Sequence, residues 1–126
     1  MTSDVGLRVP ADATFVAVLR SVTAGLAARC DLTLDEIEDL RLAVDEACAL
    51  LLPLAGPDTS MTTRFALHPD HLDLSISVPA EPDAAPDRGG FGWTVLCALA
   101  DAVHVSSSGP ELVIAVSKRR ASTTTR

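Results

Sequence analysis

Two clusters of residue types in this 126-residue chain could do chemistry. The first is Glu46, set in the run Leu40-Arg41-Leu42-Ala43-Val44-Asp45-Glu46-Ala47-Cys48-Ala49-Leu50-Leu51-Leu52. Ile37, Leu40, Val44, Ala47, Cys48 and Leu51 recur at three- and four-residue steps, one apolar stripe on a helix. Glu46 lies roughly 140° from that stripe and shares its side with Asp39, Leu42 and Leu50. A carboxylate so placed either lines a pocket, where it can act as a general base, or is a solvated surface charge. The second cluster is Gly90-Phe91-Gly92, which opens another helix. Backbone N–H groups and the helix dipole at such an opening can receive a phosphate, though two glycines also serve a tight loop-to-helix turn. Cys30, Cys48 and Cys97 are an odd number without CxxC or Cys/His spacing. They indicate neither a disulfide frame nor a zinc site, and all three read as buried, reduced thiols.

The elements that must position these groups follow from periodicity. Val5–Val9 alternates apolar and polar up to Pro10, a short strand. Asp12 is an N-cap for a first helix running to about Ala28, with Phe15, Leu19, Val22 and Leu26 inward and Arg20 outward in water. Thr33-Leu34-Asp35-Glu36 is a capping box, and Leu32 with Ile37 makes a hydrophobic staple. The second helix starts there and continues to Leu52, where Pro53 and Gly56-Pro57 end it. Met61 to Leu67, Leu72 to Val78 and Leu112 to Val116 alternate strictly, the mark of an antiparallel sheet with one covered face and one wet face. The Pro69-Asp70 corner joins the first two as a hairpin. An aperiodic loop spans Pro79 to Arg88, and a short apolar helix runs from Trp93 to Ala100. Val103 and Val105 start a strand that Ser107-Ser108-Gly109-Pro110 turns back. Residues 119–126 read as a polar, disordered tail. The order β-α-α-β-β-loop-α-β-β predicts an α/β (α+β) fold: a two-layer sandwich of a mostly antiparallel sheet covered on one face by helices, one domain over residues 1–118.

Composition limits what this domain can do. Hydrophobic residues make up 48% and aromatics only 3%, so Leu, Val, Ile and Ala must build the core. No apolar run reaches the length of a membrane span and no leader pattern opens the chain, which predicts a cytoplasmic protein. A net charge of −7 argues against a phosphate-neutralising nucleic-acid surface and suits a basic protein partner.

Over nearly its whole length the chain resembles the bacterial anti-sigma-factor serine-protein kinases of the GHKL (Bergerat-fold) ATPase superfamily, nearest to the actinobacterial branch. Leu40 to Cys48 looks like the family's helix bearing Glu-Ala-x-x-Asn. Gly90-Phe91-Gly92 with the apolar helix to Asp101-Ala102-Val103 looks like its second glycine box. By that resemblance Glu46 is the general base for a partner's serine hydroxyl, and Gly90 and Gly92 approach the phosphates of ATP. Arg20 falls where the family carries an arginine that docks the sigma factor or its antagonist. The departures are as telling. Leu50 stands where the family has its magnesium-binding Asn, and carbon offers a hard cation nothing, so no metal is expected. Pro79-Ala80-Glu81-Pro82-Asp83 replaces the family's Asp-x-Gly-x-Gly, leaving Glu81 or Asp83 as substitutes for the adenine-reading acid. The lid is cut to about Ala84–Gly89.

The expectation is an anti-sigma factor that sequesters an RNA polymerase sigma factor by binding, is released by a STAS-type anti-anti-sigma factor, and keeps a vestigial ATP site. The alternative is an active serine-protein kinase acting on that antagonist. A third reading is a ligand-sensing domain with a Leu-lined pocket at Leu50. The resemblance also implies a homodimer formed through the sheet side.

Overall fold

Thr33 and Glu36 form the capping box their spacing requires. In the computed structural model, which describes residues 3–121, the Glu36 N–H donates to the Thr33 hydroxyl (3.2 Å) and the Thr33 N–H donates to Glu36 Oε1 (2.8 Å). Helix α2 (Leu34–Leu51) starts from this box and runs roughly 27 Å. Leu40, Ala43, Val44, Ala47, Cys48 and Leu51 are fully buried along it, and Leu32 and Ile37 join the same core at its entry.

Five strands, β1 (Ser3–Pro10), β2 (Ser60–Leu67), β3 (His71–Pro79), β4 (Ala102–Ser108) and β5 (Glu111–Arg119), make a single sheet in the order β1-β2-β3-β5-β4. Every neighbouring pair is antiparallel. Alternation sends Met61, Phe65, Leu72, Leu74, Ile76, Val78, Leu112, Ile114 and Val116 to the covered face. Arg8, Thr62, Arg64, Ser75, Ser77 and Ser106 line a concavity on the other. The two-layer α+β sandwich expected from the sequence is the one observed. β1 extends to Pro10, which an edge strand tolerates because its missing N–H costs no ladder bond.

Helix α1 (Val16–Arg29) follows a 3-10 turn (Ala13–Phe15) that Asp12 caps through the Thr14 N–H. Its buried line differs from the expected one. Leu19, Thr23 and Ala27 face the core, while Val22 and Leu26 are half-buried and Phe15 is exposed. Leu19 is inward as expected, but the line continues at four-residue steps through Thr23 and Ala27 and not through Val22 and Leu26. Thr23 can be buried because its hydroxyl donates to the Leu19 carbonyl (2.8 Å).

Helix α3 (Phe91–Leu99) packs on α2 and begins two residues before the expected Trp93. Only one side of it is covered, so Cys97 is exposed, correcting the expectation of three buried thiols. Cys48 is inert: burial pushes its thiol up to about 12. Arg119 belongs to β5, not to a tail, and the Ala121 N–H donates to Glu36 Oε2 (2.6 Å). The rest of the expected tail, 122–126, lies outside the described residues.

Glu36 therefore caps α2 with one oxygen and holds the chain after β5 with the other. Backbone N–H donation, first from Thr33, keeps its carboxyl below the ordinary value of 4.5. A carboxylate depressed on folding contributes stability that is complete above its unfolded value and is lost as pH falls through the lower folded one. Acid unfolding should accordingly show a loss of stability below about pH 4.5 that Glu36→Gln removes. Thr33→Ala should cost about 1 kcal/mol in urea denaturation at neutral pH.

Candidate functional site

Glu46 and the glycine turn come together. Glu46 is half-buried on α2, and its Oε1 lies 3.0 Å from where a Cβ on Gly92 would stand. A Cβ on Gly92 would crowd the flexible end of Glu46, which would have to give way slightly. Gly90 is the N-cap of α3 and offers no side-chain oxygen, so the amides of the first turn have no side-chain cap. A carboxylate and an uncapped helix N-terminus therefore stand side by side.

The surroundings decide what this pair can meet. Asp87 accepts from the Gly89 N–H (3.0 Å), and its second oxygen lies 3.0 Å from a Cβ position on Gly90. Glu46 and Asp87 put two negative charges beside the amides that would receive a phosphate. Each repels an anion at 4 Å by about 1 kcal/mol in water and by several times more where water is excluded. The Arg88 guanidinium rests over the Trp93 ring, 5.1 Å from its centroid.

Leu50 is half-buried and packs against the core. Glu81 and Asp83 face solvent. The Ala80 N–H donates to the Pro110 carbonyl (3.1 Å), and Glu81, Pro82 and Ala84 close on the Gly109-Pro110 turn. The gap between them is about 20 Å³, room for one water. Two concavities lie on the open sheet face. One of about 780 Å³ stretches between Arg8, Arg64 and Glu111; neither it nor its 500 Å³ neighbour borders Glu46, Leu50 or Gly92.

Arg20 is not free in water. Its Nε donates to Asp45 Oδ1 (2.9 Å), and both side chains are 34% exposed. α1 packs beside α2, so the side of α1 judged outward by its own periodicity meets a carboxylate from the neighbouring helix. Sequence reasoning gave Asp45 and Asp87 no role. Asp87, two residues before a glycine pair, is a readable turn signal; the Arg20–Asp45 pairing, 25 residues apart, is not.

An antiparallel sheet under three helices, with a helix-borne glutamate meeting a glycine turn, defines a class of ATPase-like domain. Residues 9–118 match the histidine kinase-like ATPase domain family, and the chain belongs to it. It is similar to the anti-sigma-F factor RsbW of Mycobacterium tuberculosis, 34% identical over 105 residues, covering 83% of this chain and 62% of that one. It is also similar to the serine-protein kinase RsbW of Bacillus subtilis, 29% identical over 122 residues, covering 80% and 76%. The chain therefore spans about three-fifths of the mycobacterial relative's length.

The fit of Glu46 against Gly92 has a measurable consequence. Gly92→Val should displace the carboxylate and the start of α3 and cost about 1–3 kcal/mol, read from thermal or urea unfolding. Gly92→Ala should stay within about 1 kcal/mol of the parent, because a gain in helix propensity offsets the shift of a flexible Glu46.

Proposed function

We propose that the chain is an anti-sigma factor that holds an RNA polymerase sigma factor by direct binding, is released by a STAS-type anti-anti-sigma factor, and carries a vestigial ATP site. The family and the printed functions of its relatives support the binding half. The observation that carries the vestigial half is the donor set around Glu46. The scaffold still brings the carboxylate to Gly92, yet Leu50 supplies no oxygen for magnesium. The loop that would read a base is closed on the β4–β5 turn, and Asp87 faces the phosphate position with like charge. Magnesium-ATP does not fit these residues, and phosphoryl transfer rests almost wholly on positioning and metal electrostatics. A kinase reading asks Glu46 to act as base without them.

Arg20 is the proposed docking anchor. Its pair with Asp45 holds the guanidinium half-exposed at the α1–α2 seam, where a partner carboxylate can compete for the remaining N–H donors. The open face of the sheet, with Arg8, Arg64 and Glu111 around its concavity, is the proposed homodimer surface.

Screening against the sigma factors of the same genome should yield one that binds, and Arg20→Ala should weaken that complex at least tenfold. An Arg20/Asp45 double-mutant cycle should give only about 0.2–1 kcal/mol of folding stability, separating docking from packing. Calorimetric titration with magnesium-ATP should give no saturable heat. Phosphoserine on a cognate antagonist, lost in Glu46→Ala, would replace this reading with the kinase one.

A further inference from the structure

At the end of β3 remote from Pro79, the β2–β3 hairpin gathers groups that neither the Glu46 site nor the sigma-factor reading uses. His68 Nε2 lies 3.2 Å and His71 Nε2 3.5 Å from the same atom, Asp73 Oδ2. The two imidazoles stack with centroids 3.9 Å apart and planes 5° from parallel. One ligand atom from each of the three residues lies within 4.8 Å of the others. Asp70 Oδ1 sits 2.8 Å from His71 Nδ1.

A carboxylate only accepts, so Asp70 assigns the proton to His71 Nδ1 and leaves a lone pair on Nε2. That lone pair faces Asp73 Oδ2, another acceptor, at 3.5 Å. The two repel unless a cation lies between them. A proton or a metal ion on Nε2 meets that need; a divalent cation engages Asp73 and both rings once the parallel imidazoles tilt to bring their lone pairs together.

We propose that His68, His71 and Asp73 form a site for a divalent transition metal of the zinc class, with Asp70 as the carboxylate that orients His71. Two imidazoles and one carboxylate are a borderline donor set suited to such ions. An outer carboxylate on the distal imidazole nitrogen fixes the tautomer that ligates. The turn that carries the ligands is held by backbone hydrogen bonds. The His68 N–H donates to the His71 carbonyl (3.0 Å), closing the turn, and the Arg120 N–H donates to the Asp70 carbonyl (2.8 Å). Residues 71 and 73 share the open face of β3, two steps apart. Three protein ligands leave a fourth position for water, the arrangement of an exchangeable site. None of the three cysteines takes part, so cysteine spacing carries no sign of it.

The test titrates the purified chain with zinc against a chromophoric chelator and counts bound metal by native mass spectrometry. The expected result is one zinc per chain, with affinity reduced at least tenfold in His68→Gln and in His71→Gln and about 10–100-fold in Asp70→Asn. The competing donors, His104 on β4 and Cys97 on α3, are both exposed. His104→Gln and Cys97→Ser should bind as the parent does. Cobalt in place of zinc should give the visible bands of a tetrahedral site without thiolate charge transfer. Metal-free melting curves of each variant confirm folding, and added zinc should raise the melting temperature of the parent but not of the double histidine variant. Unchanged zinc affinity in both histidine variants, loss of binding in Cys97→Ser, or no zinc held against the chelator would overturn the proposal. Each outcome is independent of whether the chain binds a sigma factor.

Discussion

The orientation of α2 about its own axis is the constraint on which the site depends. α1, α3, β3 and β5 all pack on this helix, and six of its side chains are fully buried. Turning it by one residue, 100°, would expose core leucines and push Glu46 or Asp45 toward the interior. Burying an unpaired carboxylate costs several kcal/mol, more than any local contact of Glu46 returns. Packing therefore aims Glu46 at Gly92, and the glycine makes room for it.

A set of polar ties at the end of β5 holds α2 and α3 to the sheet. Glu36 joins the start of α2 to Ala121. Lys118 Nζ donates to the Leu99 carbonyl at the C-terminus of α3 (2.8 Å) and pairs with Asp39 on α2 (3.3 Å), a cation where the helix dipole favours one. Asp101 accepts from the Arg119 N–H (2.6 Å). The C-terminal end of α3 is thus met by a side chain from the sheet. Its other end, at Gly90, has no side-chain cap, and the carboxylates of Asp87 and Glu46 stand beside it.

Scaffold and chemistry separate cleanly in this domain. The core of Leu, Val and Ile is continuous from α1 to β5 and asks nothing of a nucleotide. At Leu50 an apolar side chain adds to that core and needs no polar partner. The same scaffold sets Arg20 against Asp45 at the seam of the first two helices.

Local pattern carried most of the fold. The capping box, the strict alternation of β2, β3 and β5, and the two hairpin turns were legible because each is set by neighbours within four residues or by period-2 exposure. Glu46, Gly90 and Gly92 were legible as candidates for the same reason. What tertiary structure alone decided were the meetings between distant segments: β5 between β3 and β4, Arg20 on Asp45, Thr23 rather than Val22 facing inward, Cys97 in solvent and Asp87 beside Gly90. Periodicity reports which way a side chain leaves its own element. It carries no information on what the neighbouring element puts in front of it, and that is where charge pairing and the fit of Glu46 against Gly92 are settled.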